Sequence, residues 1–303
     1  MIIRNKNNSF TLLFAWYGTI LPTVLPALAI VVFLSTVLVY LSSQHFFQAP
    51  SVPAIGFTIF GIILSIFLSF RNTACYERWW EGRKLWGTLI ATSRHISRDS
   101  HVLSEHHRQV LMYRVMLFSN LLRDRLRNQN QPIEFYENKV QLTTNDYQAL
   151  FQHINASQYI LESIQKDLVI ALKTGEISDI IYQGLNQHIV ELGNVQAGCD
   201  RILSTPLPFS YSVLLHRTVY CFCFILPFSL EASLGIWTPI LVGLIAYLFL
   251  GLDALSEQLE EPFGLQDNDL PLNSMVRLIE REMLSSLGEE LPPAIQPHLG
   301  KLS

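Results

Sequence analysis

The chain has 303 residues, 50% of them hydrophobic and 15% charged, with a mean hydropathy of +0.27. That mixture is too apolar for a disordered or purely cytosolic chain and too charged for a wholly lipid-embedded one, so it reads as a membrane protein with a large wet part. Lys+Arg 21 against Asp+Glu 25 leaves a net charge of −4, which supplies no basic field for nucleic acid and excludes it as an expected partner.

From the N-terminus, Arg4 and Lys6 precede a stretch without charge that runs to Arg71, broken by a polar, proline-flanked loop from Ser42 to Pro53. Two spans of about 20 residues fit there, at roughly 19–41 and 54–71. The basic start resembles a signal peptide, but the apolar run is too long and no cleavage-like site follows, so the first span is expected to remain. A second apolar block follows Arg217 and is interrupted by Glu231 and by Gly235 to Pro239, which predicts spans near about 212–230 and 236–252. Cations cluster before span one, after span two (Arg71, Arg78, Arg83, Lys84, Arg94, Arg98) and before span three (Arg201). The loops joining spans one to two and three to four carry no Lys or Arg, so both termini and the middle segment are expected on the cytoplasmic side.

Residues 72 to about 200 show apolar residues at helical spacing and predict an α-helical cytosolic domain. Val110, Leu111, Tyr113, Met116, Leu117, Leu121 and Leu122 make one stripe, with Arg108, Arg114, Arg123, Asp124 and Arg125 expected mainly on the other faces, and the helix stops at the Asn128 to Pro132 turn. Leu150 to Ile170 and Ile177 to Leu192 repeat the pattern. After span four come acidic residues (Asp253, Glu257, Glu260, Glu261), a loop, a helix from about Asn273 to Leu287 and a proline-rich tail. The expected units are 1–71 (spans one and two), 72–211 (cytosolic helices), 212–252 (spans three and four) and 253–303 (loop, helix and tail).

No glycine-rich phosphate loop, GxSxG elbow or HExxH stands in the chain, so no enzyme, cofactor or metal site is expected. Cys75, Cys199, Cys221 and Cys223 match neither a disulfide scaffold nor a zinc spacing and read as reduced, structural residues. Adjacent His106 and His107 point about 100° apart on a helix and read as a solvated face. Trp79, Trp80 and Trp86, directly beyond a span, read as bundle packing or interfacial anchors.

Span two is the least lipid-like: Gly56, Thr58, Gly61, Ser65 and Ser69 are small or weakly polar, whereas Ile62, Ile66 and Phe70 recur every four residues as a slanting apolar stripe. Spacing alone favours a packing seam. The alternative is a ring: copies of these side chains around a symmetry axis would form stacked collars that gate by dewetting.

Three strings carry a family resemblance. Arg71-Asn72, Tyr76-Glu77-Arg78-Trp79-Trp80-Glu81-Gly82-Arg83 and Leu85-Trp86-Gly87 follow span two; Asp200 through Thr205-Pro206-Leu207-Pro208 to Tyr211 precedes span three; Glu260-Glu261-Pro262-Phe263-Gly264 and Asn268-Asp269-Leu270-Pro271-Leu272 follow span four. In order and spacing the chain resembles the bestrophins, particularly their bacterial branch. The resemblance implies a homopentamer in the bacterial inner membrane, four transmembrane helices per subunit, and a central pore that a helical cytosolic domain prolongs. By position it implies that Ile62, Ile66 and Phe70 form the pore neck and Ile180 the cytosolic aperture. Eukaryotic members bind calcium through an acidic run after Pro-Phe-Gly; here Gln266 takes the first acidic position and only Asp267 and Asp269 remain, a departure that speaks against calcium gating and favours reading them as turn or N-cap residues over a remnant of a calcium site.

The sign of the permeant ion is left open by the resemblance. The charge-free pore helix and the acidic residues after span four favour monovalent cations such as sodium, with an anion (chloride) channel of the same architecture as the alternative. Two further classes compete: a secondary transporter, which would need inverted repeats and an intramembrane ionisable site, and a membrane-anchored scaffold, which would not form a pentamer.

Overall fold

The structure is a computed structural model that describes residues 1–2, 15–44, 54–129, 149–150, 152–297 and 300–302. Arg4, Lys6, most of the loop between the first two spans and the end of the Asn128 to Pro132 turn lie outside the described residues. Among the described residues, secondary structure is helical apart from one isolated antiparallel bridge, Ile2 to Lys301.

Chemistry at the ends sets many of the helices. Helix α1, Leu21–Ser43, has a proline in its first turn, where the missing N–H costs no hydrogen bond. Helix α2, Ala54–Asp99, runs 46 residues, about 70 Å at 1.5 Å per residue, and leads through a 3-10 turn into α3, Glu105–Leu126. Ser104 caps α3, Asn155 caps α4 (Ala156–Lys173) and Ser178 caps α5 (Asp179–Ser204), each side-chain oxygen accepting an otherwise orphaned amide. Helices α6 (Phe209–Leu234) and α7 (Thr238–Glu260) are joined by the 3-10 turn Gly235–Trp237. They run antiparallel, since the Phe222 ring lies 4.9 Å from the Phe249 ring, tilted by 55°, and His216 meets Asp253. Helix α8, Leu272–Leu287, ends at Gly288 with φ 73°, the left-handed cap that glycine adopts without strain.

Among the described residues, three apolar helical stretches are long enough to cross a membrane: Leu21–Ser43, Ile55–Val102 and Phe209–Glu260. The third is the α6–α7 hairpin, where the sequence predicts spans three and four. Buried side chains fall into two clusters. One joins α1 (Val24, Val31), α2 (Leu64, Leu68), α6 (Val219, Phe222, Leu226) and α7 (Val242, Ala246, Leu250); the other joins the distal half of α2 (Trp86, Leu89, Ile96) to α3, α4, α5 and α8. Helix α2 serves both. The division expected at 71/72 therefore falls inside an unbroken helix, and α8 shares its core with the residues of 72–204 rather than forming a separate C-terminal unit.

One expectation for α3 is corrected. Arg108, Arg114, Arg123 and Asp124 are not on solvated faces: all four are buried, as are most of the helix's 22 residues. Their charge is satisfied locally: Arg108 donates to the Ser286 carbonyl and hydroxyl, Arg114 pairs with Asp167, and Arg123 forks onto Asp124. His107 is likewise no free surface residue, its Nδ1 lying 2.6 Å from Glu176.

Candidate functional site

Helix α2 meets its own chain along a narrow stripe. Gly61 lets the Phe222 ring approach so closely that an added Cβ would stand 3.3 Å from it, and Leu64 and Leu68 are buried one and two turns on. The other small residues of the span serve differently: Gly56 has open space around it and Ser65 returns its hydroxyl to the Gly61 carbonyl at 2.8 Å. Ile62, Ile66 and Phe70 point away from this stripe and are 56%, 49% and 64% exposed, the Phe70 ring being the last before the buried Arg71. Ile180, second residue of α5, is 82% exposed.

Directly below Phe70 the helix changes character. The Arg71 guanidinium is buried against the Asp253 carboxylate on α7, with Glu260 at 3.8 Å; the other Asp253 oxygen lies 2.7 Å from His216 Nδ1 on α6. With Arg71 and Asp253 side chains only 5% and 6% exposed, this is a low-dielectric pair in which each charge compensates the other's desolvation. It pins α2 to the α6–α7 hairpin at one level.

About two and three turns further on, the strings recognised in the sequence converge. The Arg78 guanidinium donates to Ile202 O (2.7 Å), Thr205 O (2.6 Å) and Glu260 O (3.2 Å), gathering carbonyls left free where α5 and α7 end. Trp79 Nε1 donates to Asn268 O at 2.9 Å, and Glu81 pairs with Arg201. Gly82 admits the Phe263 ring and Leu270 to within 3.1–3.3 Å of where a Cβ would stand. Asn72 returns its amide to Leu68 O, and Arg83 is half-buried beside Gly87. The tryptophans divide: Trp86 is fully buried, whereas Trp80 and Tyr76 are about half exposed. Pro206 and Pro208 end the α5–α6 connection, Pro208 serving as the residue before α6. Spacing alone could not reveal that these separated strings meet. Arg127, which the sequence reading did not single out, completes the node from the end of α3, donating to Phe263 O, Leu270 O and Asn273 Oδ1. Burial lowers its pKa to about 10, so it is still a cation at neutral pH.

The Pro262 to Leu270 loop does not fit a calcium ion, which takes six to eight oxygens. Six of its carbonyls already serve the chain: Pro262 O accepts from Leu270 N, Gln266 O from Asp269 N, Asn268 O from Trp79, Leu265 O from Lys301, and Phe263 O and Leu270 O from Arg127. Asp269 accepts from Gln266 N through Oδ2, and burial raises its pKa; its Oδ1 is buried without a partner. Among the described residues no group of three or more His, Cys, Asp or Glu is arranged to hold a metal. The described cysteines are free thiols, and burial pushes Cys199 up to about 12, keeping it protonated.

Comparison with known proteins follows the same geometry. The family model for the Bacterial/Fungal Bestrophin protein matches residues 1–285. The chain is 37% identical over 302 residues to the voltage-dependent anion channel-forming protein YneE of Salmonella typhimurium, covering 97% of this chain and 96% of that one. It is 34% identical to a Mesorhizobium japonicum protein of the same description, covering 98% and 95%. Among solved structures, a bacterial bestrophin homologue from Klebsiella pneumoniae superposes with a TM-score of 0.81 at 34% identity, over 88% of this chain and 99% of that one.

Proposed function

From the premise that this chain belongs to the bacterial bestrophin family, multi-pass channel-forming membrane proteins and not enzymes, we propose that it conducts monovalent ions passively through an axial pore built by five copies of the chain. Ile62, Ile66 and Phe70 form the neck, and Ile180 forms a second constriction at the cytosolic mouth. The observation that carries this reading is the free apolar stripe on α2, exposed on a helix whose opposite face is tied to α6 and α7 by Gly61, Leu64, Leu68 and Arg71. Helices α1, α2, α6 and α7 each cross the bilayer of the bacterial inner membrane, with both termini on the cytoplasmic side.

We take the permeant ion to be an anion such as chloride, reversing the cation preference expected from sequence. The relatives are described as anion channel-forming proteins. The acidic residues that suggested cations are in part neutralised: Asp253 is buried against Arg71 and His216, and Glu260 faces Arg71 and accepts from Leu207 N. The positive ring edge of Phe70 suits an anion crossing a neck without charges. Purified protein in planar bilayers under a sodium chloride gradient tests both parts. A reversal potential near the chloride equilibrium value supports the anion reading, and one near the sodium value reverses it. Ile66→Ala should raise conductance or open probability; currents identical to the parent's would place the stripe against lipid or protein instead.

A further inference from the structure

We propose that Lys301, in the C-terminal tail, is a resident cation for the Pro262 to Leu270 loop and takes the place that a divalent ion would otherwise fill. Its Nζ lies 2.7 Å from Asp267 Oδ1 and 3.0 Å from Leu265 O, a carboxylate and a carbonyl of the kind a hard metal ion uses. The tail is held in register by backbone pairing with the first residues of the chain: Ile2 bridges Lys301, and Leu302 N donates to Met1 O at 2.9 Å. From the other side Arg127 occupies Phe263 O and Leu270 O. Two side-chain cations therefore close the loop, one fixed in the core at the end of α3 and one on a detachable strap. Lys301 is the replaceable one, since its side chain is 40% exposed and Asp267 is 42% exposed, whereas Arg127 is half-buried among its three acceptors.

The position gives the strap leverage. Asn268 of the same loop holds Trp79 on α2, nine residues and about 14 Å along the helix from Phe70. The loop also leaves α7 just after Glu260, whose carboxylate faces Arg71. A tail that lets go would free Asp267 and Leu265 O together, leaving a loop whose remaining carboxylates, Asp267 and the half-satisfied Asp269, attract a divalent ion.

The test uses the full-length protein in detergent, with thermal unfolding in chelator and in millimolar calcium, and terbium luminescence excited through the adjacent Trp79. The parent should melt identically in both conditions and give no calcium-competable terbium signal. Lys301→Ala should melt lower in chelator, regain stability with calcium, and acquire a calcium-competable signal with a Kd of about 10⁻⁴–10⁻³ M, the range of weak extracellular calcium sites. Lys301→Arg should behave as the parent, and adding Asp267→Asn to Lys301→Ala should abolish the gain. A parent protein stabilised by calcium overturns the proposal. So does a Lys301→Ala variant that matches the parent in both conditions, or one whose loss calcium does not recover. Tail cleavage by a soluble protease is an independent readout: Asp267→Asn should accelerate it several-fold, and an unchanged rate counts against the strap.

Discussion

Arg71 and Arg78 illustrate how single side chains define the level at which the apolar helix becomes a wet one. Arg71 has one buried carboxylate partner and a second close by, so replacing it leaves Asp253 in a low-dielectric site without its guanidinium, with the His216 ring as the neighbour on its other oxygen. Arg71→Gln should destabilise the solubilised protein by about 3–5 kcal/mol, the usual cost of leaving a buried charge without its counter-ion, whereas Arg71→Met combined with Asp253→Leu should recover much of that. Thermal unfolding of the three proteins checks this; a double variant as weak as the single would mean that the pair itself is not the origin of the loss. Arg78 acts by shape. Its planar fork reaches three carbonyls from two helix ends, which a lysine ammonium on a flexible stem cannot span, so Arg78→Lys should lower stability although the charge is kept. The strings around both residues are readable in the sequence as a family signature, but their partners lie 124–182 residues away, so what each arginine does is not.

At the scale of helices, the apolar period foretold where elements lie better than which faces they bury. The predicted helix from about Asn273 to Leu287 is α8 almost to the residue, because a proline and a glycine bracket it. Helix α3 departs further, since its apolar stripe suggests one buried side whereas α2, α4, α5 and α8 surround it; Arg108 and Arg114 are accommodated by partners on α8 and α4, and Arg123 by Asp124 on α3 itself. Close approach of α2 to α6 rests on Gly61, so Gly61→Val should cost about 1–3 kcal/mol by overpacking against Phe222, and Phe222→Leu in the same chain should relieve part of it. The turn between α4 and α5 carries a pH dependence. The Ser104 amide, then the side chains of Ser104 and His107, hold the Glu176 carboxyl below the usual glutamate range. A carboxyl whose folded pKa is lowered contributes stability above its unfolded value, about 4.3, and that contribution is lost as pH falls through the lower folded value. Hydrogen exchange at residues 174–178 should therefore rise below that range in the parent, and Glu176→Gln should show no such step there.

For the whole molecule, α2 is the organising rod: it shares in both buried clusters, and its free face in the first half is the proposed pore lining. The Trp79 to Gly82 node and Phe70 are thus joined by continuous helix rather than by a flexible joint. Assembly is the property on which the proposed pore depends. Native mass measurement in detergent should give five subunits, and a monomeric or dimeric mass would remove the axis on which the proposed collars of Ile62, Ile66 and Phe70 rest.

Apolar run length, cation placement, capping residues and the three separated strings are local properties, so the sequence by itself determined an all-helical, multi-pass chain and pointed to its family. Tertiary structure alone decided which charged groups are buried and with whom. Those pairings join residues such as Arg71 with Asp253 and Arg127 with Phe263, and no spacing rule relates positions brought together only when two helix bundles close around one shared rod. It also decided the fate of the acidic residues beyond the last span, because a carboxylate's influence on a passing ion depends on whether a neighbouring cation already neutralises it.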